Sequence, residues 1–150
     1  MILQRVNRDD AEKVFIAVKN TTGGAVSDGY LACFNLRNIN SANGIDIEKP
    51  ATSALPAFAG VVTDTEGWGS YSIADTDYGL AQVYGYNDLA YVRFESTDGN
   101  IAAGDIYGPV NGQWFANSNG TAHELGPLII LSQHTAATAE ARHKVFIRAL

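Results

Sequence analysis

The chain has 150 residues, 46% hydrophobic and 17% charged, so it reads as a globular protein with fewer charges than the usual quarter. Ten basic against sixteen acidic residues leave a net charge of −6, which argues against nucleic acid as a partner, because phosphate binding draws on clustered Lys and Arg. No apolar run approaches the length of a membrane span, and the single cysteine, Cys33, forbids an internal disulfide.

Residues 1–13 read as a polar N-terminal arm with a small apolar patch at Ile2, Leu3 and Val6. The first residues carry acids and lack a continuous apolar core, so no signal peptide is expected. A short helix over Arg8–Lys13 is the one helical possibility near this end. Val14–Lys19 reads as the first strand, and Thr21–Gly29 as a turn. Tyr30–Leu36 is the second strand, with Tyr30, Ala32, Phe34 and Leu36 on one face. Cys33 lies inside that apolar run and reads as a buried thiol rather than a nucleophile. Asn38–Pro56, with Asn43-Gly44, Pro50 and Pro56, reads as an irregular excursion over the surface. Asn20 and Asn119 each begin a glycosylation pattern, but they read as turn residues.

Phe58–Thr63 begins a new β segment, Thr65–Gly69 is a loop, Ser70–Ala74 a short strand and Asp75–Gly79 a turn. From Tyr78 to Ala116, short runs of β-branched and aromatic residues alternate with turn pairs, the strongest local signal for hairpins. Turns are expected at Asn87-Asp88, around Asp98-Gly99, at Gly104-Asp105 and at Asn111-Gly112. The last is read as a two-residue hairpin with Trp114 packed behind it. Leu128–Leu131 is a compact buried strand, Thr135–Arg142 a helical turn or loop, and Val145–Arg148 a closing strand. The pattern predicts a mainly β protein: one antiparallel β-barrel or β-sandwich over residues 14–150, with at most short helices.

No constellation for catalysis stands out. His123-Glu124 lacks the partner His of a zinc helix, since position 127 is Pro127; His134 and His143 have no ligand spacing, and no metal or other cofactor is expected. Asp75 and Asp77 faintly suggest a calcium loop, but Gly79 and Tyr86 stand where acids are needed. The carboxylate pairs Asp46 with Glu48, Asp64 with Glu66, and Asp75 with Asp77 fall in expected loops, and Glu95 stands alone. The aromatics hold more interest. Tyr84 and Tyr86 share a strand face, and Trp68, Tyr71 and Tyr91 are placed near them. Such a row suits core packing, a subunit interface, or stacking on sugars.

The residues Ala103–Ile106 (Ala-Gly-Asp-Ile), the following hairpin, Gly126-Pro127, and the closing Val145–Leu150 resemble small β-barrel proteins of tailed-bacteriophage virions. Phe58–Val62 and Gly79–Tyr86 fit the same likeness, which covers residues 58–150 and is similar in kind to capsid decoration, or cement, proteins. The resemblance implies a non-enzymatic virion protein that binds the outside of an assembled capsid and stabilises it. Its partner would be the major capsid protein, its own state an oligomer with a trimer favoured, and its location the capsid surface after synthesis in the bacterial cytoplasm. It also implies an N-terminal arm, here Ile2, Leu3, Arg5 and Val6, adding a strand to the shell. No nucleic acid or membrane enters as a partner. A carbohydrate-binding β-domain using Trp68, Tyr71, Tyr84 and Tyr86 is the alternative.

Overall fold

A computed structural model describes residues 13–36, 44–51, 57–63, 71–93, 100–117, 126–135 and 141–149. Among them there is no helix. The strands are β1 (Val14–Asn20), β2 (Val26–Ser27), β3 (Leu31–Phe34), β4 (Asp46–Glu48), β5 (Phe58–Val62), β6 (Ser72–Ile73) and β7 (Tyr78–Arg93). They continue with β8 (Asn100–Ile101), β9 (Ile106–Pro109), β10 (Ala116–Asn117), β11 (Leu128–Ile130), β12 (His134–Thr135) and β13 (Ala141–Arg148). The mainly β expectation is met, with a barrel-like arrangement. The arm, including Ile2, Leu3, Arg5 and Val6, lies outside the described residues apart from Lys13.

The large sheet runs β1-β4-β3-β5-β7-β10-β9-β11-β13, and β7 pairs in addition with β1 and β13. These two extra pairings close the ladder twice. One circuit is β1-β4-β3-β5-β7, the other β7-β10-β9-β11-β13, and the 16-residue β7 is common to both. Pairing is antiparallel except for two short parallel contacts, β1 with β4 and β10 with β7. Closing a sheet on itself satisfies backbone groups that an open edge would leave to solvent.

Each circuit has its own core. Val18, Ala32, Ile47, Ala59, Val62 and Ala81 fill the first, joined by Val26 and Ile73 from the small β2–β6 ribbon. Ala90, Tyr107, Ala116, Leu128, Ile130, Val145 and Ile147 fill the second. Leu31 and Val61 also belong to the second core although their strands belong to the first circuit. Neighbouring residues on β3 and β5 therefore point into different cores, which explains why Leu31, Ala32 and Cys33 are all fully buried. The expected one-faced alternation over Tyr30–Leu36 gives way to a strand of four residues buried on both sides, with Leu36 beyond its end and 57% exposed.

Three expected irregularities take a different form. Asn87-Asp88 is not a turn: β7 runs straight through it. From His143 opposite Ala90 to Val145 opposite Asn87, β7 spends three residues where β13 spends two, so the pair marks a β-bulge. The bulge moves the buried face from Ala81, Val83 and Asn87 to Ala90. Turn chemistry at Asn111-Gly112 is present, with Gly112 at φ +73° and Gln113 N donating to Val110 O at 3.1 Å. Ala116 nevertheless pairs with Pro109, so the connection is a six-residue loop and not a two-residue hairpin. Within the expected excursion 38–56, Asp46–Glu48 forms β4 because Cys33 and Phe34 pair with it.

Candidate functional site

The face of the sheet centred on β7 gathers the most distinctive side chains. Tyr78 is 67% exposed and Tyr84 37%, while Tyr86 is half-buried. Tyr84 and Tyr86 stand on alternate positions of β7, whereas Tyr78 is separated from them by a register shift, with Gln82 opposite Phe15 and Tyr84 opposite Val14. Lys19 of β1 is paired with Tyr78, and its ammonium lies 5.8 Å from the ring centre. Lys13 lies over Tyr86 at 5.8 Å. Arg148 of β13 is directly opposite Tyr84, and Phe146, two residues back, meets the Tyr84 ring edge-on at 5.1 Å and 82°. β13 alternates cleanly here, with His143, Val145 and Ile147 buried and Lys144 and Arg148 exposed.

The row is held rigid from beneath by Gln82. This side chain is 1% exposed, and its amide donates to the carbonyls of Tyr84 at 3.0 Å and Tyr86 at 2.9 Å. Its Oε1 accepts from Asn87 Nδ2 at 3.0 Å. A buried amide whose donors and acceptor are all used fixes the backbone that carries the two tyrosines.

The other aromatic expectations separate. The Tyr71 hydroxyl accepts a hydrogen bond from Leu80 N at 3.1 Å, and its ring packs against the first core, so it does not join the row. Gly79 makes room for it: a Cβ there would collide with Tyr71 and Ile73. Trp68 and the side chain of Tyr91 lie outside the described residues. Trp114 stacks on Tyr30, with centres 5.3 Å apart and planes 10° apart, and Lys49 lies over it at 5.7 Å. Leu31 N donates to Trp114 O and Gly112 N to Pro50 O, so this stack docks the second circuit on the first.

The chemistry-bearing residues do not converge. Asp46 is buried and Glu48 half-buried on β4, whereas Asp75 and Asp77 are exposed on the turn before β7. Asp75 accepts from Gly23 N at 2.9 Å, a structural use of its carboxylate. His143 is buried opposite Ala90, and the side chain of His134, with His123, Glu124, Asp64, Glu66 and Glu95, lies outside the described residues. Among the described residues no three His, Cys, Asp or Glu side chains gather as a metal site would require. Cys33 stands opposite Glu48, and burial together with that carboxylate pushes its thiol up to about 12, far from a reactive thiolate. No helix among the described residues is long and apolar enough to cross a membrane, which says nothing of strands.

An open apolar pocket of about 450 Å³ lies between the first circuit and the end of β13. Ile16, Phe34, Ile45, Phe58, Val83 and Ala149 are among its walls, and none of the described lining side chains is polar. Such a lining can accommodate an apolar group but offers nothing to orient or activate one.

No protein-family model matches this chain, and no curated protein matches it significantly. Function therefore rests on the geometry and on the sequence resemblance. The cation-capped tyrosine row was only half legible beforehand. The strand period gives Tyr84 and Tyr86, while the turn signal over Asp75–Gly79 takes in Tyr78. The lysines join the row through the register of β1 on β7, which sequence spacing does not encode.

Proposed function

We propose that this protein is a non-enzymatic component of a tailed-phage virion that binds the outside of the assembled capsid and stabilises it. On this reading its partner is the major capsid protein, it acts as a homo-oligomer with a trimer favoured, and residues 1–13 add a strand to the shell. The observation that carries the reading is the pair Tyr84 and Tyr86 on β7, the strand shared by two closed circuits, with Phe146 of β13 against Tyr84. Tyrosines bury large, rigid area at little entropic cost, which is what protein interfaces select. Repetition around an oligomer would multiply a modest contact through avidity.

The second reading, a carbohydrate-binding domain, draws on the exposure of Tyr78 and Tyr84. It is the weaker one. Sugar stacking uses a bare ring face, whereas Lys19 and Lys13 lie over Tyr78 and Tyr86, and Tyr84 is engaged by Phe146. Pelleting capsids that lack the protein, after mixing with purified protein, separates the two. Saturable co-sedimentation is expected; protein left in the supernatant, with fluorescence quenched by an oligosaccharide, would favour the sugar reading.

A further inference from the structure

The loop that joins β9 to β10 carries a reactive dipeptide at the joint between the two circuits. Asn111 and Gly112 are both exposed. Gly112 holds φ +73°, Asn111 does not share that left-handed region, and Gln113 N donates to Val110 O at 3.1 Å. This is the pattern of a type II turn with glycine as its third residue. Gly112 N donates out of the turn, to Pro50 O at 2.7 Å. Pro50 is buried, and two residues beyond Gly112 the Trp114 ring stacks on Tyr30 beneath Lys49. The chain repeats the dipeptide at Asn43-Gly44, of which Asn43 lies outside the described residues. Gly44 is exposed at the same φ of +73° but donates to no carbonyl of the described residues.

We propose that Asn111 is a site of spontaneous deamidation held in check by this joint, so that it converts only when the loop lifts from Pro50. The chemistry needs no reagent but water. Gly112 N attacks Asn111 Cγ, the Cγ–Nδ2 bond breaks, and ammonia leaves carrying the Gly112 proton. Water then opens the succinimide ring at either carbonyl, leaving aspartate or isoaspartate, with no change of oxidation state. Asn-Gly pairs are the most open to this attack, because glycine has no Cβ to obstruct its nitrogen. The nucleophile is the deprotonated amide, and a hydrogen bond donated by Gly112 N–H stabilises the protonated form. Closing the ring also turns the Asn111–Gly112 peptide plane out of the position that Pro50 holds. Proton loss and ring closure therefore both wait for the bond to Pro50 O to break. Isoaspartate lengthens the backbone by one methylene and adds a negative charge, so a converted loop no longer matches its seat. Each opening of the joint thus leaves an irreversible mark in the chain.

The test incubates the full chain at mildly alkaline pH, native and in urea, and reads the converted fraction at both dipeptides by digestion and mass spectrometry. In the native protein Asn111 is expected to convert about tenfold more slowly than Asn43, the net worth of one hydrogen bond, and in urea the two rates should agree to within about twofold. Equal native rates overturn the proposal, and so does an Asn111 that stays intact in urea. Trp114→Leu and Tyr30→Leu, each checked by circular dichroism, remove the stack that seats the loop. Either should speed Asn111 several-fold toward its rate in urea while Asn43 keeps its native rate. Folded variants that leave Asn111 as slow as in the wild type, or that speed both sites equally, place the protection elsewhere and overturn the proposal. If both variants unfold, the wild-type rates at the two sites, native against urea, decide alone.

Discussion

The Arg142 guanidinium meets the Asp28 carboxylate at 3.1 Å across 114 residues of chain. Asp28 is 1% exposed and lies just before β3, while Arg142 belongs to β13, so the pair ties the first circuit to the second. Replacing Arg142 with Met removes the cation from a buried carboxylate and is expected to cost about 3 kcal/mol. Asp28→Asn in that background should restore part of the loss, because the charge that needed the cation is gone. Urea unfolding of the four proteins in the cycle measures the coupling; strict additivity would show that the pair does not join the circuits.

Asn20 is a second tie. It is fully buried, its amide nitrogen reaches the carbonyls of Gly24, Ile73 and Ala74, and its side-chain oxygen accepts from the amide and hydroxyl of Thr22. Its own carbonyl accepts from Thr76 N, and Thr76 holds φ +66°, a conformation a β-branched residue seldom adopts. Asn20→Ala is expected to cost about 3 kcal/mol, because several buried backbone carbonyls and an amide lose their partner. Thr76→Gly is expected to stabilise or leave stability unchanged, since relief of the positive φ offsets the added unfolded-state freedom. Chemical denaturation reads both, and a Thr76→Gly loss above about 1 kcal/mol would contradict the strain.

Cys33 supplies a chemical and a pH prediction. Its folded-state thiol ionises near pH 12 instead of 9.0, so the native protein should resist iodoacetamide at pH 8 and react only on unfolding. The stabilisation is fully present below pH 9 and is lost as pH rises from 9 toward 12, because the unfolded chain ionises first. Cys33→Ala should flatten that alkaline limb. Prompt labelling of folded protein would contradict the burial.

Gln82→Leu should loosen the tyrosine row without touching a ring. The carbonyls of Tyr84 and Tyr86 and the Asn87 amide lose a partner in a buried place, at a cost of about 2–3 kcal/mol. Amide exchange along residues 82–88 should speed up by more than the global stability change explains. Uniform acceleration across the protein would argue that Gln82 serves stability in general and not this strand.

The strand content was readable from period and turn chemistry because it depends on local pattern: Val14–Lys19, Phe58–Thr63 and Val145–Arg148 all fall within or on observed strands, to within a residue. What failed was the meaning of polar pairs. Asn87-Asp88 marks irregular backbone, and both a turn and a bulge satisfy that; only pairing with β13 decides for the bulge. Asn20 reads as a turn residue with a glycosylation pattern, yet it is fully buried and bonds the carbonyls of Ile73 and Ala74, 53 and 54 residues away. β4 went unseen in Asn38–Pro56 because three residues become a strand only when β1 and β3 flank them. The cation-capped row is of the same kind. Its members come from both ends and the middle of the chain, and tertiary register alone brings them together.

The most direct measurement is the melting of capsids that lack this protein, followed by calorimetry after adding wild-type chain or the Tyr84→Ser/Tyr86→Ser variant. A raised capsid transition with the wild type, absent with the variant although it folds, is the predicted result. An unchanged transition with wild-type protein in saturating excess would contradict the account.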